Sequence, residues 1–123
     1  MVLIDTSSWI DSLRERGRKE VRQRVADLMN AGNAAWCDVV RVELWNGVRG
    51  DRERKLMAEL ETIVPSLPVD QDVWTLAVEL AKKARAAGLN LPSPDLIIVA
   101  CAQRHKVSVE HADKHLERLL ALV

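Results

Sequence analysis

Near its amino terminus the chain carries three consecutive apolar residues, Val2, Leu3 and Ile4, closed by Asp5 and followed at once by Thr6-Ser7-Ser8. An uninterrupted apolar run this short reads as a parallel strand buried on both faces. Hydroxyl residues directly behind it are good helix N-caps, so the strand passes straight into a helix. The junction leaves a carboxylate at the carboxyl end of a buried parallel strand, where ligands gather in open α/β sheets. Three further acids share such positions: Glu43 and Asp95 near the starts of helical patterns, and Asp113 after the stretch Val107-Ser108-Val109. Carboxylates that converge in one crevice repel each other. Two unit charges ~4 Å apart cost on the order of 4 kcal/mol at an effective dielectric near 20. A hard divalent cation removes that cost, and carboxylate-held Mg²⁺ is a common phosphoryl-transfer device. The pattern points to metal-dependent chemistry on phosphate esters.

The rest of the chain alternates extended and helical patterns, which predicts an α/β fold with a doubly wound parallel sheet of four or five strands flanked by helices. Residues 1–123 read as one domain. Strands are expected at residues 2–5, 34–37, 63–69 and 106–109, with residues 121–123 offering a fifth. Pro65 and Pro68 put the third of these at a sheet edge. Helices are expected over residues 7–16, which Gly17 stops, and over residues 18–31. A third follows Asp38, and its nearly continuous apolar faces make Glu43 the odd residue within it. A charged helix covers residues 51–62. A long one, capped by Asp70 or Asp72, runs to residue 87. The run Leu96-Ile97-Ile98-Val99-Ala100-Cys101-Ala102 fits strand or helix by periodicity, but Pro94 at its first turn favours a buried helix. A last helix covers residues 112–120.

Composition narrows the function classes. Lys plus Arg equals Asp plus Glu at 18 each, which argues against a protein that coats nucleic acid, though not against a nuclease. The chain has no Phe and no Tyr, so an aromatic platform for stacking bases is not expected. Cys37 and Cys101, the two cysteines, read as reduced, buried thiols of a cytosolic protein, and thiolate zinc is not indicated. The first residues lack the basic and long apolar regions of a secretory signal, and no apolar run suits a membrane span. A cytoplasmic location is the expectation.

Asp5-Thr6-Ser7 after an N-terminal strand, Glu43 in Val-Glu-Leu, Asp95 in Pro-Asp-Leu-Ile-Ile-Val-Ala-Cys-Ala, and Asp113 occur in that order. Over nearly the whole chain this resembles the PIN domain, and more narrowly the VapC-type toxin ribonucleases of type II toxin–antitoxin pairs. The resemblance implies an endoribonuclease that uses Mg²⁺ or Mn²⁺. It implies that Asp5, Glu43, Asp95 and Asp113 form the catalytic, metal-holding acidic pocket. Thr6 or Ser7 matches the hydroxyl position beside it. It also implies an RNA substrate, a homodimer and a cognate antitoxin that lies over helices near the pocket. The end of the chain departs from the commonest pattern. Many members place Thr or Ser just before the last acid, whereas Glu110-His111-Ala112-Asp113 puts His111 there. His111 then contacts phosphate, positions water or packs, and Glu110 is a rival carboxylate.

Each candidate has a structural reading beside the functional one. Asp5, Asp95 and Asp113 are suited to helix N-termini for their charge alone. Arg41 or Arg49 is a structural partner for Glu43, and the four Trp read as core or interface. Ser7 lacks the Gly-x-Ser-x-Gly setting of an acyl-transfer nucleophile. Three rivals stand beside this reading: a phosphoacceptor-type domain, which needs paired acids after the first strand; a haloacid-type phosphatase, which needs Asp-x-Asp where this chain has Asp5-Thr6-Ser7; and a non-catalytic interaction module.

Overall fold

The computed structural model describes residues 1–123. In chain order it contains β1 (Val2–Ile4), α1 (Thr6–Leu13), α2 (Lys19–Asn30), β2 (Ala34–Ala35), α3 (Asp38–Asn46), α4 (Gly50–Ile63), α5 (Gln71–Ala86), α6 (Ser93–His105), β3 (Ser108–Glu110) and α7 (Lys114–Leu120). The sheet is parallel, in the order β2-β1-β3. Leu3 pairs with Ala35 on one side and Val109 on the other, and Ile4 pairs with Glu110. The central strand needs apolar residues on both faces, and Leu3 and Ile4 are fully buried. Since β1 has neighbours reached by opposite routes, the crevice beyond its carboxyl end is a topological switch point.

The sheet has three strands rather than the four or five expected. Residues 64–69 run beside β2 but make a single bridge, Trp36 with Ser66. Trp36 donates its N–H to the Pro65 carbonyl at 3.1 Å, and Leu67 returns one to the Trp36 carbonyl at 2.7 Å. Pro65 and Pro68 lack the N–H groups that would extend the ladder. Ile63, expected in this strand, ends α4 instead. Residues 121–123 make no strand: they close α7 with turn bonds from Leu122 to Leu119 and from Val123 to Leu120. The apolar run after Asp95 is a helix, α6, with Ile98 to Ala102 all buried.

The core lies on both faces of the sheet, around Leu3, Ile4, Trp9, Trp36, Val40, Met57 and Ile98. Trp9 and Trp36 are core residues, tilted at 55° with ring centroids 5.5 Å apart. Trp45 and Trp74 are partly exposed. Cys37 and Cys101 are free and buried. No helix is long and apolar enough to cross a membrane.

Gly17 fixes the α1–α2 turn by its lack of a side chain. A Cβ there would stand 1.8 Å from the Asp11 carbonyl oxygen, so the backbone must move for any other residue. Gly17→Ala is expected to lower the free energy of unfolding by about 1–3 kcal/mol, as overpacking does. Urea denaturation checks this: the midpoint falls with an unchanged slope, and an unchanged midpoint contradicts it.

Candidate active site

Asp5 stands at the carboxyl end of β1, and its backbone N–H donates to the Glu110 carbonyl of β3 at 2.9 Å. Its side chain caps α1: Oδ2 accepts from the Ser7 N–H at 3.1 Å and from the Ser7 hydroxyl at 2.6 Å. Asp5 is only 3% exposed, yet its other oxygen, Oδ1, is buried without any hydrogen-bond partner. A buried carboxylate oxygen left unpaired is costly, by roughly 1–3 kcal/mol or more for a charged group. The helix therefore accounts for one oxygen of Asp5 and leaves the other unexplained.

The other three acids arrive on helices. Glu43 lies in α3, and its Oε1 accepts the Thr6 hydroxyl at 2.6 Å. The expected structural partners are otherwise engaged or absent: Arg41 pairs with Glu61 and Asp38, and Arg49 forms no ion pair with Glu43. Asp95 lies in the first turn of α6, just behind Pro94. Asp113 caps α7, accepting the His115 N–H at 2.9 Å. Three of the four acids thus sit at helix N-termini, where N–H groups and the helix dipole favour negative charge.

Asp95 registers the meeting of the four acids. Its carboxyl is pushed up to about 6, first by burial and then by the charges of Asp5, Asp113 and Glu43, with His115 opposing. All three other acids therefore act on one half-buried group. No group of three or more acidic, His or Cys side chains closes to direct-ligand spacing, so the four do not form a tight cage. The donors are all oxygen, as hard cations such as Mg²⁺ and Mn²⁺ prefer. Together with the orphaned Oδ1 of Asp5, this donor set fits a divalent ion.

Hydroxyls and loops fix the acids in place. The Ser7 Oγ that donates to Asp5 also accepts the Ala112 N–H at 3.0 Å, which ties α1 to the loop before Asp113. Glu110, the rival carboxylate, is engaged elsewhere: it accepts the Ser8 hydroxyl at 2.6 Å and stands 2.7 Å from Arg24. His111 turns its Nδ1 to the Asp113 N–H at 3.4 Å, within its own loop. Sequence reasoning missed the Ser8–Glu110–Arg24 cluster. The signal available was a third hydroxyl residue behind Asp5, and Ser8 is fully buried.

The PIN domain family model matches residues 2–121. The chain is 32% identical over 118 residues to the VapC ribonuclease Mb1587 of Mycobacterium bovis, covering 92% of this chain and 87% of that one. It is 28% identical over 123 residues to ribonuclease VapC18 of Mycobacterium tuberculosis, covering 97% and 87%. Among solved structures, FitAcB from Neisseria gonorrhoeae superposes with a TM-score of 0.76 at 21% identity, covering 98% and 94%. VapBC2 from Rickettsia felis, bound to a DNA fragment from their promoter, gives 0.72 at 18%, covering 96% and 92%. These two show a shared fold.

The raised Asp95 carboxyl has a consequence for stability. The folded state holds that proton up to about pH 6, whereas the unfolded chain releases it near pH 3.9. Between those values the folded state binds more protons, so this group lowers stability as pH rises, and the loss is complete above about 6. Asp95 is partly exposed, so screening reduces the effect to roughly 1–2 kcal/mol. In excess chelator, Asp95→Asn is expected to be more stable than the parent at pH 7, with the gap closing toward pH 4. Paired urea melts at the two pH values check it. A variant less stable by several kcal/mol at pH 7 marks Asp95 as a structural anchor instead.

Proposed function

The chain belongs to the PIN domain family, and on that premise we propose that it is a metal-dependent endoribonuclease acting as the toxin of a toxin–antitoxin pair. The observation that carries the reading is Asp5: a buried carboxylate with an unpaired oxygen, at the switch point of the sheet, which together with Asp113 and Glu43 raises Asp95. The names of its relatives, VapC ribonucleases, support the reaction class. The FitAcB and VapBC2 neighbours support a protein partner.

Asp5, Glu43 and Asp95 are assigned to hold a Mg²⁺ or Mn²⁺ ion, with Asp113 completing the pocket. The lack of a tight cage suits Mg²⁺, which keeps several of its waters. When bound, the ion supplies positive charge against the phosphodiester and acidifies water at the site. The reaction is hydrolysis: water adds to phosphorus, and the bond from phosphorus to the leaving ester oxygen breaks. The chain's own part is positioning. Ser7 holds one oxygen of Asp5, Thr6 holds one oxygen of Glu43, and the backbone of α7 holds one oxygen of Asp113. Each of these three acids then has a fixed second oxygen, so little reorganisation accompanies the reaction. His111 is assigned to substrate handling and not to the metal, because Mg²⁺ prefers oxygen to imidazole.

Partners are assigned by surface chemistry. Trp74 and Val78 are exposed one turn apart on α5, at 46% and 56%. Such a face suits a homodimer, where Trp is enriched. Val42 and Trp45 are exposed on α3, the helix that carries Glu43, and suit the antitoxin. An antitoxin that reaches the pocket would present Arg or Lys to the four acids.

Asp5→Asn, Glu43→Gln and Asp95→Asn are each expected to cut RNA cleavage by roughly 10²-fold or more, as loss of a charge-stabilising group does. His111→Ala is expected to retain metal affinity and change the rate or its pH profile. A gel assay of a labelled RNA with Mg²⁺, Mn²⁺ or chelator checks both. Full activity in chelator, or in Asp5→Asn, contradicts the proposal.

A further inference from the structure

Four arginines, Arg14, Arg16, Arg49 and Arg52, converge around one open cavity of about 330 Å³. Glu15 and Glu53 complete its lining, and no apolar side chain takes part. Four guanidinium groups against two carboxylates leave two positive charges there, in a chain whose formal charge is zero. The cations are therefore gathered by the fold, since composition alone does not supply a basic surface.

The arginines divide into two pairs. Arg14 stands 3.2 Å from Glu53 and donates to the Gly47 carbonyl at 3.4 Å. Arg52 donates to the Leu13 carbonyl at 2.8 Å and stands 3.5 Å from Glu15. These two build the wall. Arg16 and Arg49 are exposed, and their side chains enter none of the ion pairs of the chain. Both nevertheless sit on fixed backbone. Arg16 precedes Gly17 in the tight α1–α2 turn. Arg49 caps α4, where its N–H donates to Glu53 at 2.9 Å, and Gly50 behind it has φ of +71°.

The basin is linked to one of the four acids, Glu43. Arg14 also lines a second, smaller cavity, and Glu43 is among the residues that line it. Arg14 and Glu53 therefore line both cavities, and Glu43, one of the four acids, lines the smaller with them. An acidic crevice repels a polyanion, so a nucleic-acid substrate needs positive charge beside it. Guanidinium forks match phosphate oxygens in bidentate fashion. The lack of apolar lining does not suit the greasy face of a protein partner.

We infer that this arginine basin binds the phosphate backbone of RNA next to the scissile bond, with Arg16 and Arg49 as the phosphate ligands. The inference rests on the endoribonuclease reading and adds the track on which the substrate lies. Phosphate contacts fix register and carry no base information, so the basin raises affinity for RNA of any sequence.

The test uses the full chain in excess chelator and a fluorescent single-stranded RNA oligonucleotide of mixed sequence, with Kd measured across a NaCl series. Each phosphate contact contributes about −0.7 to the slope of log affinity against log salt for single strands. The Arg16→Ala/Arg49→Ala double variant is expected to flatten that slope by about 1.4 and to weaken binding roughly 10-fold at low salt. Arg16→Lys/Arg49→Lys is expected to recover most of the slope, since Lys keeps the point charge. Neither residue has a side-chain partner, and matched melting curves verify folding. An unchanged Kd and slope overturn the inference, as does a parent protein that binds no RNA. Loss of polyglutamate binding with RNA binding intact also overturns it, and assigns the basin to an acidic peptide. Cleavage of the same RNA in Mn²⁺ is read separately. RNA binding through the basin without any cleavage refutes the enzymatic reading alone. Cleavage with an unchanged KM in the double variant refutes the basin alone.

Discussion

Asp5 is buried at the end of the central strand with one oxygen bonded to Ser7 and the other unpaired. Much of the surrounding architecture bears on that one group. The strand is short because it ends where the carboxylate must leave the sheet. Its backbone is held by β3 through the Glu110 carbonyl, and its side chain starts α1. Glu43 and Asp95 are then carried in by α3 and α6, and Asp113 by the cap of α7. Three of these acids rest on helix N-termini, which offset part of their repulsion. What is not offset appears at Asp95, whose carboxyl is raised to about 6 by burial and by the other three acids.

In the proposed site, capping a helix and placing an acid are the same act. Asp5 and Asp113 each spend an oxygen on a helix, so the structural and functional readings of the sequence do not compete. Both describe one side chain with two oxygens. The hydroxyls behind Asp5 share the work between neighbours. Thr6 turns to Glu43, Ser7 to Asp5, and Ser8 to Glu110. Three successive residues therefore fix three different carboxylates, because successive residues of a helix point about 100° apart.

The sequence made the central strand, the strand-to-helix junction and the four acids legible, because each is a local pattern with a direct physical cause. It also made α6 legible as a helix, through Pro94 at its first turn. The edge of the sheet was less legible. Residues 63–69 have strand-like composition, but whether a ladder forms depends on the N–H groups that Pro65 and Pro68 lack and on where α4 ends. The Glu110 side chain was ambiguous for a different reason. Its partners, Ser8 and Arg24, lie 102 and 86 residues away in sequence, and no local pattern connects them. The arginine basin was invisible for the same reason, since it joins the end of α1 to the start of α4 across a neutral chain.

The central claim is that the four acids are arranged for a divalent cation. Titration calorimetry of the chelator-treated protein with Mn²⁺, alongside its melting temperature, tests it most directly. Saturable binding is expected to raise stability by about 2.7 kcal/mol at a hundredfold excess over Kd, and both signals are expected to be lost in Asp5→Asn. No binding by the parent protein, or equal binding by Asp5→Asn, contradicts it.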